Sequence, residues 1–201
     1  MLRDVEAGLA ELILSRTPRL GPVRLVAIDG PSGAGKSRFA ERLGVRLSAP
    51  VVHTDDLLEG WDDQFTFWTR LEERVLEPLR HGRPARYRRY DWRLGAFAGP
   101  PVRVEPAGVV LLDGVSSARR AIRPELSGAV FVTAPPELRL ARAMARDGSR
   151  DLAYRAYLER WRHAEDVHFA EDGTAAQADL LVDGAAPAPD GQVRVLRRVP
   201  R

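Results

Sequence analysis

The sequence predicts an α/β fold in which a mostly parallel β-sheet is covered by helices on both faces. Short, continuously apolar segments at 23–28, 109–112 and 129–132 have the composition of strands that are buried on both sides. Helical patterns lie between these segments, and this alternation is typical of a parallel sheet. The length of 201 residues and the hydrophobic content of 44% fit a single domain, which we expect to span 1–201.

Hydrophobic periodicity assigns the other elements in the first half of the chain. Apolar residues at helical spacing over 2–13 predict an opening amphipathic helix, which ends at Thr17-Pro18. A second helix is predicted over 36–47, directly after a glycine-rich loop. A short strand is predicted from Val51-Val52 and ends at Thr54-Asp55-Asp56. Apolar residues at helical spacing predict a further helix over 65–80.

The second half of the chain opens with a segment of different composition. Residues 83–108 are rich in arginine, proline and aromatic residues, so we expect them to form an excursion over the surface. Helices are predicted over 136–146 and from Asp151 onward, where the aspartate would cap the helix. Late strands are predicted at 180–182 and 193–196.

A single lysine marks the first functional motif. Of the 31 basic residues, 30 are arginine, and the one lysine, Lys36, ends a glycine-rich loop. The loop reads Gly30-Pro31-Ser32-Gly33-Ala34-Gly35-Lys36-Ser37 and fits the P-loop pattern G-x-x-x-x-G-K-[ST]. It follows a predicted strand and precedes a predicted helix, which is the context that a P-loop requires. The spacing differs from G-x-G-x-x-G, so a dinucleotide fold is disfavoured.

This motif predicts which residues bind a nucleotide. The ammonium group of Lys36 would bridge the β- and γ-phosphates, and the Ser37 hydroxyl would bind Mg²⁺. Backbone N–H groups of the loop and the N-terminus of the following helix would surround the phosphates. The predicted nucleotide-binding residues are Gly30, Ser32, Gly33, Ala34, Gly35, Lys36, Ser37 and Arg38.

Three acidic residues stand at predicted strand ends. Asp29, Asp55 and Asp113 each follow an apolar strand, so we expect them to converge near the phosphate site. Asp113 ends the apolar run Val-Val-Leu-Leu, which is the pattern of a Walker B acid that supports Mg²⁺. The alternative for Asp113 is a role only in the turn after its strand, and the alternative for Asp55 is an N-cap of the following helix.

Taken together, the motifs resemble the uridine kinase family, within the nucleoside and small-molecule kinase branch of P-loop proteins. The resemblance runs from about Val23 to Asp183 and includes landmarks beyond the P-loop. These landmarks are Thr54-Asp55-Asp56-Leu57-Leu58, Trp61-Asp62-Asp63, Gly82-Arg83-Pro84, Tyr90-Asp91-Trp92, Asp113-Gly114, the segment 139–147 and Ala178-Asp179. The resemblance implies transfer of a phosphoryl group from ATP, with Mg²⁺, to a hydroxyl group of a small molecule.

The resemblance also implies roles for individual residues. Asp55 matches the acid that takes the proton from the acceptor hydroxyl and helps to hold Mg²⁺ together with Ser37 and Asp113. Arg142 and Arg146 match catalytic arginines of a mobile lid, which here would span 139–151. Their guanidinium groups would stabilise the charge on the transferring phosphoryl group. Arg139 and Arg150 belong to the same series of arginines. The alternative to a lid role for this series is a basic helix face that is exposed to solvent.

The acceptor would be bound by four further residues. Asp62 matches a carboxylate that accepts hydrogen bonds from sugar hydroxyls, and Tyr90 and Asp91 match the Tyr-Asp step of the acceptor pocket. Trp92 could stack on a flat ring. The alternative for Asp62 is an ordinary exposed acid in a loop. The alternative for Tyr90 and Trp92 is a structural pair of aromatic residues on the surface.

Two departures from the family pattern leave the acceptor open. The family usually has glutamate where this chain has Asp113, and it places a histidine after the Tyr-Asp step, where this chain has Arg93-Leu94-Gly95-Ala96-Phe97. The segment from Arg146 to Arg150 is also short for the lid. The sequence therefore predicts the reaction class and favours a nucleoside or nucleoside-like acceptor. Another hydroxyl compound, such as pantothenate, an aminocyclitol or an antibiotic, remains an alternative.

Other function classes are less favoured. Residues 83–93 combine arginines with Tyr87, Tyr90 and Trp92, as single-strand-binding segments do, but the net charge of +3 is small, so nucleic-acid binding is disfavoured. A nucleotide-driven switch without phosphoryl transfer is a rival, although a single lysine leaves no guanine-reading N-K-x-D step. The chain has no cysteine, no signal peptide and no apolar span of 18 residues, so we expect a cytoplasmic protein without membrane contact. Homo-oligomer formation stays open.

Overall fold

The computed structural model describes residues 5–106, 108–147, 152–185 and 194–198. Its main sheet has six strands in the order β2-β5-β1-β6-β7-β8. The first five in this order are parallel, and β8 runs antiparallel to β7. The strands are β1 (Arg24–Asp29), β2 (Val51–His53), β5 (Val109–Asp113), β6 (Leu126–Thr133), β7 (Leu180–Asp183) and β8 (Arg194–Arg198). The predicted α/β fold with a mostly parallel sheet is confirmed.

Helices connect these strands and cover the sheet. They are α1 (Val5–Ser15), α2 (Lys36–Leu47), α3 (Trp68–Leu71), α4 (Glu77–Arg80), α5 (Pro136–Asp147), α6 (Leu152–Asp172) and α7 (Thr174–Gln177). A π-helical turn, Glu72–Leu76, joins α3 to α4, so the predicted helix over 65–80 contains an irregular middle turn. In the part of the chain that the structure describes, no helix has the length and apolarity needed to cross a membrane.

The segment 83–108 has more regular structure than the sequence predicted. It contains an antiparallel hairpin of β3 (Ala85–Asp91) and β4 (Ala96–Val104), with an irregular register between Tyr87 and Arg89. The side chain of Tyr87 is buried, whereas most side chains of β4 are at least partly exposed. Because only scattered positions are apolar, hydrophobic periodicity alone does not indicate these two strands.

The two faces of the main sheet pack into two hydrophobic clusters. Alternate residues of β1 divide between them, since successive side chains of a strand point to opposite faces. Leu25 and Ala27 pack with the helical segment 68–80, whereas Val26 and Ile28 pack with α1 and α2. Helices therefore cover both faces, as the sequence predicted, and the carboxyl ends of the parallel strands stay open for a site.

The end of β5 is packed closely against the end of β2. Gly114, which follows β5, has a φ of +146°, and a Cβ atom placed there would lie 1.7 Å from Thr54 Oγ1. Gly108, which precedes β5, has no atom within 4 Å of such a Cβ position. Glycine at 114 therefore permits the close approach that brings the segments after the two strands together.

We expect Gly114→Ala to destabilise the protein by about 2–5 kcal/mol, because overpacking and backbone strain add at this position. Urea denaturation of the purified variant measures the change in the free energy of unfolding. Gly108→Ala is the matched control on the other side of the same strand, and we expect a change within about 0.5 kcal/mol. Equal effects of the two substitutions would contradict the close approach at Thr54.

Candidate active site

A cavity of about 390 Å³ opens at the carboxyl ends of the parallel strands. The P-loop, the segment after β2, the end of β5 and helix α5 form its walls. Its lining residues are Ser32, Gly33, Gly35, Lys36, Ser37, Arg38, His53, Asp55, Asp56, Asp113, Gly114, Arg142, Ala143 and Arg146. Of the predicted nucleotide-binding residues, Gly30 and Ala34 do not line it, and both are buried.

The P-loop connects β1 to α2 in the way that its motif requires. Helix α2 begins at Lys36, so its N-terminus and positive dipole end face the cavity. Gly33 has a φ of +76°, and a Cβ atom there would lie 2.6 Å from the carbonyl oxygen of Arg139. The ammonium group of Lys36 donates a hydrogen bond of 3.1 Å to the Pro31 carbonyl, which holds it over the loop.

Two of the three strand-end acids face this cavity. Asp55 opens onto it, yet the surrounding protein desolvates its carboxyl group and raises its pKa, and the charge of Asp113 raises that pKa further. Asp29 is fully buried and does not line the cavity. It accepts hydrogen bonds from the backbone N–H groups of Gly30, Ser116 and Ala118, and burial raises the pKa of its carboxyl to about 7.

The residues present fit a magnesium ion that is completed by nucleotide phosphates. Asp113 is 2% exposed, and within the described ranges its Oδ1 atom has no hydrogen-bond partner. The hydroxyl of Ser37 and the carboxylate of Asp55 line the same cavity. No group of three or more His, Asp or Glu side chains in the described residues is arranged to hold a metal. Mg²⁺ commonly takes one or two protein ligands and several water or phosphate oxygens.

His53 is a cavity residue that the sequence analysis did not single out. Its Nδ1 atom lies 2.8 Å from Asp113 Oδ2, and this hydrogen bond raises the pKa of the imidazole. Asp56 and Asp55 raise that pKa further, although partial burial opposes the shift. Its position at the end of β2, two residues before Asp55, is the only sequence signal that could have indicated it.

Asp56 connects the site to the hairpin. Its Oδ2 atom lies 3.1 Å from Arg89 Nε and accepts a longer hydrogen bond of 3.5 Å from the Tyr87 hydroxyl. Burial raises the pKa of the Asp56 carboxyl, whereas Arg89 lowers it. Both acids after β2 line the cavity, but Asp56 also binds Arg89 and Tyr87 of β3.

Two of the predicted lid arginines reach the cavity from α5. Arg142 donates to the carbonyl of Gly33 at 3.1 Å and to that of Gly184 at 3.0 Å, so it joins the P-loop to the end of β7. Arg146 lines the cavity, and its charge acts on Asp55. Arg139 is 5% exposed and lies beneath the loop. Arg150 and Asp151 lie outside the described residues, as does the end of the predicted lid.

A buried glutamate on α6 holds the P-loop from outside the cavity. Glu165 has no exposed surface and accepts hydrogen bonds from the Ser32 backbone N–H and hydroxyl and from Trp161 Nε1. Arg139 Nη1 lies 3.8 Å from its carboxylate. Burial raises the pKa of Glu165, and these hydrogen bonds and Lys36 lower it. The apolar periodicity of α6 gives no signal for this residue.

An aromatic cluster lies beside the P-loop, where the predicted acceptor residues meet α6. The Trp61 ring lies 4.7 Å from that of Trp92, 5.1 Å from that of Tyr157 and 5.7 Å from that of Trp161, measured between centroids. Tyr90 joins the cluster through Trp92 at 5.2 Å. We refer to Trp61, Tyr90, Trp92, Tyr157 and Trp161 as the aromatic cluster.

None of the four predicted acceptor residues lines the 390 Å³ cavity. Tyr90 and Trp92 are in the aromatic cluster, and Asp62 is exposed next to Trp61. The carboxylate of Asp91 accepts hydrogen bonds from the backbone N–H groups of Arg93 and Leu94 and thus closes the hairpin turn. The structure therefore places these residues together on the hairpin side of the P-loop, and their acceptor role stays a prediction.

The arginines of the hairpin face a different cavity. A space of about 610 Å³ lies between the hairpin and the segment 66–74, and its walls include Arg70, Arg74, Arg86 and Arg88. Arg70 is bound to Asp63 and Glu59, and its guanidinium lies 4.9 Å from the Phe97 ring. Two of the five arginines at 83–93, Arg86 and Arg88, therefore line this second cavity, whereas Arg89 pairs with Asp56.

Comparisons with known proteins are informative at the level of fold. No family model matches the sequence, and no curated protein matches it. The structure is similar to that of a "Possible Uridine Kinase from Bacillus stearothermophilus", with 21% identity and a TM-score of 0.64 over 90% of this chain and 98% of that chain. A "putative fructose transport system kinase from Silicibacter sp. TM1040" has 22% identity and a TM-score of 0.60 over 84% and 95%. The fold-level resemblance to uridine kinase-like P-loop kinases is therefore confirmed.

We expect the charge of the His53 imidazole to add to the stability that its hydrogen bond to Asp113 provides. Because the folded-state pKa of His53 is raised above the unfolded value of about 6.5, this contribution is complete below that pH. It is lost as the pH rises through the folded-state pKa. His53→Asn keeps a hydrogen-bond donor without the charge, so wild type should exceed it in stability by about 1 kcal/mol at pH 6 and by much less at pH 9.

Urea denaturation at the two pH values, with EDTA present and nucleotide absent, measures this difference. His81→Asn is a control on an exposed histidine outside the cavity. A stability difference between wild type and His53→Asn that stayed constant or grew with pH would contradict the charged pair.

Proposed function

We propose that the protein transfers the γ-phosphoryl group of ATP, with Mg²⁺, to a hydroxyl group of a small molecule, and that this acceptor is a nucleoside or nucleoside-like compound. One observation carries this proposal: a single cavity combines the P-loop lysine Lys36, the acids Asp55 and Asp113, and the arginines Arg142 and Arg146. Phosphoryl transfer depends on positioning and charge stabilisation, and these groups supply both.

The phosphate end of the nucleotide would lie in the P-loop. Backbone N–H groups at the start of α2 and the Lys36 ammonium would bind the phosphate oxygens. Ser37 and Asp113 would hold Mg²⁺, which when bound neutralises charge on the β- and γ-phosphates. Arg146, on the opposite wall, would approach the transferred group and stabilise its negative charge.

Asp55 has the position and the environment of a group that receives the acceptor proton. It stands on the cavity wall between the P-loop and the segment that leads to the aromatic cluster. Its raised pKa increases its affinity for a proton. The positive charges of Lys36 and Arg146 oppose this rise in the pKa.

The aromatic cluster supports a flat acceptor. Rings that meet at centroid distances of 4.7–5.7 Å form an apolar surface, and the exposed Asp62 beside it could accept hydrogen bonds from hydroxyl groups. A flat ring joined to a polyhydroxylated part is the chemistry of a nucleoside. The names of the two similar structures refer to uridine and to fructose transport, so sugars belong among the acceptors to be tested. Because ATP and Mg²⁺ are plentiful in the cytoplasm, we also propose that the protein works there.

The decisive experiment measures ADP release from Mg·ATP with a panel of nucleosides, sugars, pantothenate, aminocyclitols and aminocyclitol antibiotics. We expect one acceptor to give saturable ADP release and to gain the mass of one phosphate. Lys36→Ala should lower the turnover at least about 100-fold, because a transition-state charge contact is lost, while circular dichroism shows an intact fold. Wild-type turnover by this variant would refute the proposal. Slow release that is indifferent to every acceptor would favour a nucleotide-driven switch.

A second substitution separates binding from transfer. We expect Asp55→Asn to keep the affinity for ADP within about threefold, while the turnover with the identified acceptor falls by about 10²–10⁴. Calorimetry gives the first quantity and the coupled ADP assay gives the second. Glu59→Gln, which changes an exposed acid outside the cavity, is the matched control. Normal transfer by Asp55→Asn would show that Asp55 is not the proton acceptor.

A further inference from the structure

The feature with an unassigned role is the contact between Glu165 and the P-loop. A fully buried carboxylate is costly, and replacement of such a group by an apolar residue is often neutral or stabilising. Stability alone therefore does not explain the presence of a glutamate at 165. The Glu165 carboxylate supplies a strong hydrogen-bond acceptor for the Ser32 N–H and hydroxyl groups. The Ser32 nitrogen lies 3.1 Å from Glu165 Oε2.

The Ser32 N–H belongs to the same peptide unit as the Pro31 carbonyl. That carbonyl accepts hydrogen bonds from the Lys36 ammonium at 3.1 Å and from the Ala34 N–H at 3.2 Å. Because a peptide unit is planar, its N–H and C=O groups turn together. A contact that holds the N–H of Ser32 therefore also holds the carbonyl that orients Lys36.

We propose that Glu165 is a positioning residue: by binding Ser32 it fixes the orientation of the Pro31–Ser32 peptide and so places the Lys36 ammonium for nucleotide phosphates. The inference rests on the proposed nucleotide site. It assigns to α6, which contributes no side chain to the phosphate cavity, a role in the affinity of that cavity.

Trp161 extends this arrangement toward the hairpin. Its Nε1 atom donates to Glu165 Oε1 at 2.8 Å and lies 3.2 Å from Ser32 Oγ, while its ring stands edge-on to Trp61. The same indole therefore packs in the aromatic cluster and binds the glutamate that holds the P-loop. If an acceptor displaced Trp61, the displacement would be transmitted to Glu165 through the side chain of Trp161.

The test compares Glu165→Gln with wild type in calorimetric titrations with ADP and Mg²⁺. The glutamine amide has the size of the carboxylate, but its NH₂ group is a donor and cannot accept a hydrogen bond from the Ser32 N–H. We expect the Kd for ADP to rise about tenfold, since a hydrogen bond to a charged group is lost. Glu159→Gln, the same substitution on an exposed turn of α6, is the matched control and should leave the Kd unchanged.

A double-mutant cycle with Lys36→Ala distinguishes positioning from a general loosening of the loop. If Glu165 acts through Lys36, Glu165→Gln should change the Kd less than twofold once Lys36 is absent. A tenfold effect in both backgrounds, or no effect in either, would overturn the proposal. Ser32→Ala, which removes only one donor to Glu165, should raise the Kd to a smaller extent and show the same dependence on Lys36. It replaces Glu165→Gln in the cycle if that variant fails to fold.

Amide hydrogen exchange gives a readout that needs no nucleotide. Glu165→Gln should accelerate exchange in peptides covering 30–35 and leave the later turns of α2 unchanged; unaltered exchange in the loop would also overturn the proposal. If wild type itself does not bind ADP, the proposed nucleotide site fails, whereas the exchange comparison still reports whether Glu165 holds Ser32.

Discussion

The parallel pairing of β1 with β5 is the constraint on which the site depends. Its register places Ile28 opposite Asp113, so the P-loop, which follows β1, starts beside this buried acid at the carboxyl ends of the two strands. Asp29 strengthens this junction, because one carboxylate binds the N–H of the P-loop glycine and two N–H groups after β5. Asp113 can therefore line the same cavity as the P-loop only while these two strand ends remain together.

The sequence predicted the layers of this fold because each layer has a local signal. Continuous apolar runs identified β1, β5 and β6, and the G-x-x-x-x-G-K-[ST] pattern placed the loop between a strand and a helix. Lys36, Ser37, Asp55 and Asp113 lie on one cavity because strand order in a parallel sheet brings carboxyl ends together. These residues could be named from the chain alone because Asp113 ends a buried strand, Asp55 closely follows a strand, and Lys36 and Ser37 open a helix.

What the sequence did not reveal depends on contacts between distant segments. Glu165 is 133 residues away from Ser32, and its position in α6 looks like any acid on a charged helix until the helix is packed on the loop. Asp91 reads as a pocket residue by its motif, yet its carboxylate is used in the hairpin turn. Side-chain partners of this kind are set by tertiary packing, and hydrophobic periodicity carries no information about them.

The single lysine has a practical consequence. In a chain of 201 residues with 30 arginines, the ammonium of Lys36 is the only one on a side chain, and it is 8% exposed. Protein produced with ¹⁵N-labelled lysine would carry one labelled residue, located in the P-loop itself. Nuclear magnetic resonance of this sample would show one backbone signal and one side-chain signal, both from Lys36. The binding of phosphate could therefore be followed at the lysine nitrogen atoms without assigning a spectrum.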